Sequence, residues 1–210
     1  MKAHACEAGV TMAKNWQCVW LLKNRHPAGC NQKREARPPV FYLRYHYSMD
    51  YQAKLAVPFG VLGIRCTEDA LTGIAFLPAS ETSQRANSTF AKTVCEQLLR
   101  YFENPDTQFT VPIKPNGTPH QQKIWQAMRN IPRGATRSYG ELASELKSGA
   151  QAVGQACGAN PIPIIIPCHR VVGKSGLGGF MHQASGSPLD IKRWLLAHEA
   201  KATLSLAGGG

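Results

Sequence analysis

Three consecutive isoleucines bracketed by prolines, Pro163-Ile164-Ile165-Ile166-Pro167, limit what this chain can become. Isoleucine favours burial, and prolines at 161, 163 and 167 exclude a helix interior, so residues 160–172 are predicted to run as an extended segment through the core. The segment delivers Cys168, followed by His169 and Arg170. Two potential cations beside a thiol lower its pKa and raise the thiolate fraction, which makes Cys168 a candidate nucleophile. A buried structural cysteine is the alternative reading of an isolated Cys-His pair.

A chain of 210 residues, 43% of them hydrophobic, can build one large or two small domains around a real core. Lys and Arg outnumber Asp and Glu by 24 to 13, a net charge of +11, which points to a polyanionic partner, nucleic acid or an acidic membrane surface. No run approaches the ~20 apolar residues of a membrane span, and the apolar patch at 18–22 is shorter than a signal-peptide core, so a cytoplasmic protein without membrane contact is expected. The seven cysteines, at 6, 18, 30, 66, 95, 157 and 168, form an odd set with no Cys-x-x-Cys pair and no zinc-ligand grouping. That pattern predicts reduced thiols in a reducing compartment, with neither metal nor cofactor. More than half of the excess charge falls in residues 1–48, with eight basic and two acidic side chains. That stretch is read as a basic, disordered extension, with Met49 an alternative start.

Short alternating runs at 51–57, 61–66 and 71–77 predict an antiparallel meander. A helix over 88–102 follows, with Phe90, Val94, Leu98 and Tyr101 on one face. This N-terminal α+β unit, 49–114, carries no chemistry of its own in the sequence, and its last segment, 109–113, is read as extended. The unit at 115–202 is mostly helical, with 203–210 left as a tail. Thr118-Pro119 with Gln121 opens a helix carrying Ile124, Trp125 and Met128, which stops near Ile131-Pro132. Ser138 caps a second helix, Lys147-Ser148-Gly149 breaks it, and 150–158 forms a third, which together make a helix-turn-helix. A glycine-rich loop over 173–186 leads to a final helix from Pro188 to about residue 200. Glu199 at its end is unfavourable against the helix dipole unless a cation or histidine holds it.

The string Ile166-Pro167-Cys168-His169-Arg170-Val171-Val172, preceded by Gly158-Ala159-Asn160-Pro161 and followed by Lys192-Arg193-Trp194-Leu195-Leu196-Ala197-His198-Glu199, resembles the O6-alkylguanine-DNA alkyltransferases, the methylated-DNA–protein-cysteine methyltransferases. Gly117-Thr118-Pro119, Ile131-Pro132 and Ser138-Tyr139-Gly140 extend the similarity to about 49–200. The resemblance implies a ribonuclease H-like first domain and a single-turnover DNA repair enzyme. Such a protein moves an alkyl group from O6-alkylguanine in double-stranded DNA onto its own cysteine, with O4-alkylthymine an open second substrate and a monomer as the working form. By the same resemblance Cys168 is the acceptor, His169 its base through a water, Glu199 the orienter of that histidine, and Tyr139 the proton donor to the departing base. Asn160 holds geometry, and Arg170 is structural. Pro167, Ala184, Ser185 and Gly186 line the pocket for the flipped base, while Tyr139, Ala150, Gln151 and Gly154 meet DNA.

Two departures from that pattern stand out. The family places an arginine near the start of the recognition helix to fill the gap left by the flipped base. This chain has Gln151 there, and no Lys or Arg occurs between 148 and 167. The loop at 181–187 is also longer than the family's turn. Two rival readings remain, a cysteine hydrolase that turns over and a non-catalytic damage-sensing module. Alkyl retained on Cys168 separates the alkyltransferase from both.

Overall fold

The computed structural model describes residues 51–182 and 187–207. The predicted extension over 1–48 lies outside the described residues, as do Ala184, Ser185 and Gly186.

The meander forms as the alternation predicts, with β1 (Ala53–Val57), β2 (Gly60–Cys66) and β3 (Leu71–Leu77) antiparallel in that order. Leu55 sits opposite Leu62 and Ile64 opposite Ile74, so the apolar residues stack across the sheet. Helix α1 (Thr89–Glu103) starts where Ser88 accepts a hydrogen bond from the Ala91 amide, and buries Val94, Leu98, Tyr101 and Phe102. Residues 109–113 form no strand. They add one isolated bridge between Ile113 and Leu71, whose amide donates to Pro112 O at 2.9 Å.

Helix α2 (Pro119–Arg129) opens on a complete capping box of Thr118 and Gln121. The indole N–H of its Trp125 donates to Ala156 O at 2.8 Å, tying α2 to the recognition helix. A two-residue strand β4 (Arg137–Ser138) precedes α3 (Tyr139–Leu146), capped by Ser138 and Glu141. Lys147 turns left-handed at φ 51°, the Ser148 amide returns to Ala143 O at 2.8 Å, and α4 (Ala150–Gly158) begins at once. This is the predicted helix-turn-helix. A parallel partner for β4, β5 (Val171–Val172), follows Cys168. Helix α5 (Ser187–Ala207) overruns its predicted end and takes in 203–207 of the supposed tail. No helix among the described residues is long and apolar enough to cross a membrane.

Residues 162–171 are buried as expected, but 160–170 are not extended. Asn160 Oδ1 accepts from the Ile162 amide at 3.0 Å and Nδ2 donates to Ile166 O at 2.8 Å, so one side chain brackets a closed turn. The Ile166 amide returns to Ile162 O at 2.9 Å, and Ile164 takes φ 77°. A β-branched residue there costs about 1–3 kcal/mol, held by burial of Ile162, Ile164 and Ile166. The prolines exclude a helix, but they leave turns open, and the asparagine selects one. Cys168 then starts a single 3₁₀ turn, Cys168–Arg170.

The two units share one core. Phe59 meets Phe76, Phe102 and Trp194 with ring centroids 5.3–5.8 Å apart, and Phe76 meets Phe180 at 5.9 Å. The Ile74 amide of β3 donates to Pro161 O at 2.8 Å, so the sheet grips the turn that presents the cysteine.

Candidate active site

Cys168 stands at the floor of a cavity of about 450 Å³, under α3 and α4. Tyr139, Ala150, Gln151 and Gly154 line the cavity with it, as do Cys157, Phe180, Met181 and His182. The recognition helix can approach this closely because it presents Ala150 and Gly154 rather than bulky side chains. Pro167 is buried just before the cysteine and is not part of the lining. The wall assigned to Ser185 and Gly186 is taken, in the described residues, by Met181 and His182. Both have left-handed backbone, at φ 52° and 59°, and the His182 ring lies so close to Gly158 that a Cβ there would meet it at 2.4 Å.

Behind the cavity lies a buried polar cluster. His169 Nε2 is 3.0 Å from Glu199 Oε1. Arg170 grips the same carboxylate, Nη2 to Oε1 and Nε to Oε2 at 2.8 Å each, and its Nη1 donates to Ile131 O at 2.6 Å. The Tyr101 hydroxyl donates to Oε1 at 2.9 Å. His169 and Glu199 are 0% and 1% exposed, so their charges are scarcely screened. Burial works to raise the Glu199 carboxyl, but the hydrogen bonds of His169 and Arg170 and the Arg170 charge outweigh it and hold it far below the carboxylate range. Burial lowers the His169 pKa, so the imidazole is neutral. With Nε2 turned to the carboxylate, Nδ1 is buried without a hydrogen-bond partner.

The expected charged setting of the thiol is corrected here. His169 and Arg170 both turn to Glu199, and burial pushes the Cys168 thiol up from its ordinary value. Opposing burial are the Asn160 amide, the Lys192 ammonium and the amides of Cys168 and His169. Lys192 was not singled out in the sequence, yet it is fully buried. Its Nζ donates to Val171 O at 2.6 Å and Gly179 O at 3.0 Å, and burial lowers it to about 8. Its signal was a lysine three residues from both Leu189 and Leu195, on the face α5 buries. Tyr139 donates its hydroxyl to Gly179 O at 3.1 Å, and burial, then the nearby Cys157 and Cys168, raises it to about 12. It is therefore a protonated donor at neutral pH.

Glu199 is held by a cation and a histidine, as expected, but α5 runs on to Ala207, so the residue lies within the helix and the dipole at its end is not the reason. Tyr101 was read only as a core residue, and the N-terminal unit as free of chemistry, whereas its hydroxyl reaches the carboxylate across 98 residues of sequence. No sequence signal marks that contact. Among the described residues no three His, Cys, Asp or Glu side chains stand together as metal ligands.

Residues 51–115 match the family described as 6-O-methylguanine DNA methyltransferase, ribonuclease-like domain, and 119–201 match its DNA binding domain. The constitutive methylated-DNA–protein-cysteine methyltransferase of Bacillus subtilis is 38% identical over 159 residues, 70% of this chain and 94% of that protein. The methylated-DNA–protein-cysteine methyltransferase of Mycobacterium bovis is 40% identical over 160 residues, 71% and 93% of the two chains. The crystal structure of the Mycobacterium tuberculosis O6-methylguanine methyltransferase superposes with a TM-score of 0.61 at 35% identity, over 73% of this chain and 96% of that one. The same bacterium's protein in complex with DNA gives 0.60 at 36% identity, covering 71% and 92%.

Proposed function

The chain belongs to the 6-O-methylguanine DNA methyltransferase family, enzymes that move alkyl groups from O6-alkylguanine to a cysteine, and we propose that the acceptor here is Cys168. The observation that carries this reading is the placement of the Cys168 thiol in a cavity of about 450 Å³ roofed by the recognition helix, with a neutral imidazole and its carboxylate directly behind.

Double-stranded DNA carrying O6-alkylguanine is the partner, bound by a monomer through α3 and α4. The lesion cannot be reached inside a stacked duplex, so the nucleotide is extruded into the cavity at a cost of a few kcal/mol. His169, neutral at Nδ1 and fixed at Nε2 by Glu199, takes the Cys168 proton through a water. Lys192 and the Asn160 amide stabilise the thiolate that forms. The sulfur attacks the alkyl carbon, the S–C bond forms as the C–O6 bond breaks, and the electron pair leaves with guanine. Tyr139 donates to the departing base, and its raised pKa keeps that proton available. The thioether has no route back to a thiol, so each molecule acts once. A reducing, cytoplasmic setting suits the free thiols at Cys157 and Cys168.

The test is mass spectrometry of the Cys168 peptide after exposure to O6-methylguanine duplex. A gain of one methylene on Cys168, abolished in Cys168→Ser, is expected. An unmodified thiol after the lesion has been cleared overturns the assignment.

A further inference from the structure

The N-terminal unit has an obvious role as a partner for the core. The Tyr101 hydroxyl is difficult to explain on those terms. Its ring packs against Phe102, Phe109 and His198 at centroid distances of 5.3–5.4 Å, contacts that phenylalanine would reproduce. The residue is 1% exposed, so its hydroxyl has lost water and regains one bond, to Glu199 Oε1. That oxygen already faces His169 and one arm of Arg170, while Oε2 faces the other arm.

Building on the reading of His169 as the base for Cys168, we infer that Tyr101 is a positioning residue, through which the N-terminal unit fixes the Glu199 carboxylate and so the orientation of His169. Arg170 approaches the carboxylate with two N–H groups. Tyr101 supplies a donor from α1, a separate element. With both in place Oε1 is held against Nε2, and Nδ1 is left without a partner, free to take a proton. The hydroxyl also takes a share of the carboxylate's charge, which weakens the pull of Glu199 on a proton at His169. The other groups facing this cluster are Arg170 from the 3₁₀ turn, Lys192 and His198 from α5, and Arg133 on the hydroxyl side. Arg170 already donates to Oε1, while Lys192 is bonded to Val171 O and Gly179 O and Arg133 to Thr107 O, so none of them replaces the hydroxyl there. Loss of the hydroxyl therefore leaves His169 less well aimed and more readily protonated. The acid limb of the reaction, set by neutral His169, moves to higher pH.

The experiment uses the full chain. Single-turnover transfer from O6-methylguanine duplex is followed from pH 5.5 to 8.5 for the wild type, Tyr101→Phe and Phe102→Leu, with the limiting rate and the DNA dissociation constant read separately. For Tyr101→Phe the limiting rate is expected to fall about 5- to 10-fold at neutral pH with DNA affinity unchanged, since Tyr101 does not line the cavity. The acid limb should rise by about half a pH unit. Phe102→Leu, a packing loss on the same helix, should lower the melting temperature without moving the limb. Site-specific 3-fluorotyrosine at 101, a stronger donor with the same packing, should move the limb down, and it serves if Tyr101→Phe does not fold. A limb that moves in neither variant, in a protein whose wild type transfers normally, overturns the role of Tyr101. A wild type that transfers nothing to Cys168 overturns the underlying reading instead.

Discussion

Glu199→Gln separates an electrostatic role for the buried cluster from a packing one. The amide matches the carboxylate in volume, but it is neutral and presents an NH₂ group where two acceptor oxygens take four hydrogen bonds. Whichever way it is turned, one Arg170 N–H faces a donor, and the guanidinium loses its counter-ion at a residue only 7% exposed. Stranding a buried charge costs about 3–5 kcal/mol, against a total of about 5–15 kcal/mol for a domain. With a urea slope of about 2 kcal/mol per molar, the midpoint should fall by about 2 M, read from tryptophan fluorescence. Transfer at neutral pH should fall by at least about 100-fold, because His169 loses the partner that sets its tautomer. Removing the stranded cation as well, in Glu199→Gln/Arg170→Met, should recover a large part of the stability and none of the rate. A single variant within about 1 kcal/mol of wild type would refute the reasoning, since the carboxylate would then not be neutralising Arg170.

Three further outcomes follow from the geometry. Gln151→Arg adds a cation at the mouth of the cavity and should speed single-turnover repair of duplex DNA while leaving the rate with free O6-methylguanine base unchanged; equal rates on duplex would remove the idea. Gly178 has φ 66°, and a Cβ there would meet the Tyr139 ring at 2.7 Å. Gly178→Ala should therefore cost about 1–2 kcal/mol and slow transfer, whereas Gly176→Ala, with nothing within 4 Å, should do neither. Cys157 is pushed by burial up to about 12 from an ordinary 9.0, so the unfolded chain ionises there first. The stability it contributes is complete below pH 9 and lost as pH rises toward 12, partly masked by Lys192, which titrates at about 8 and works in the opposite direction. Between pH 8 and 10, Cys157→Ala should lose about 1 kcal/mol less stability than wild type in urea titrations, and an identical loss would contradict the burial argument.

Local chemistry was the legible part of this sequence. Ser88, Thr118 and Ser138 mark helix starts because a hydroxyl before an amphipathic run satisfies amides that nothing else can reach. The meander and the helix-turn-helix are equally local, and Cys168 with Tyr139 and Gln151 could be placed from the resemblance. What stayed hidden depends on contacts between distant segments. The turn at 160–167 needs Asn160 to bond Ile162 and Ile166 at once, an arrangement that the burial of three isoleucines does not distinguish from a strand. The resemblance paired Glu199 with His169, but that the same carboxylate also takes two bonds from Arg170, so that both side chains turn from the thiol, shows only once α5 packs in. Lys192 could have been suspected from its place on an apolar helix face, but Tyr101 could not.

The carboxylate at 199 is translated after every group that binds it: Tyr101, His169 and Arg170 have all left the ribosome's catalytic centre before it is made. The nascent protein thus carries Cys168 beside an imidazole that nothing yet aims. That aim waits until α5 docks against the rest of the fold. For the sulfur proposed to act only once, the last element to be made is the one that orients its base.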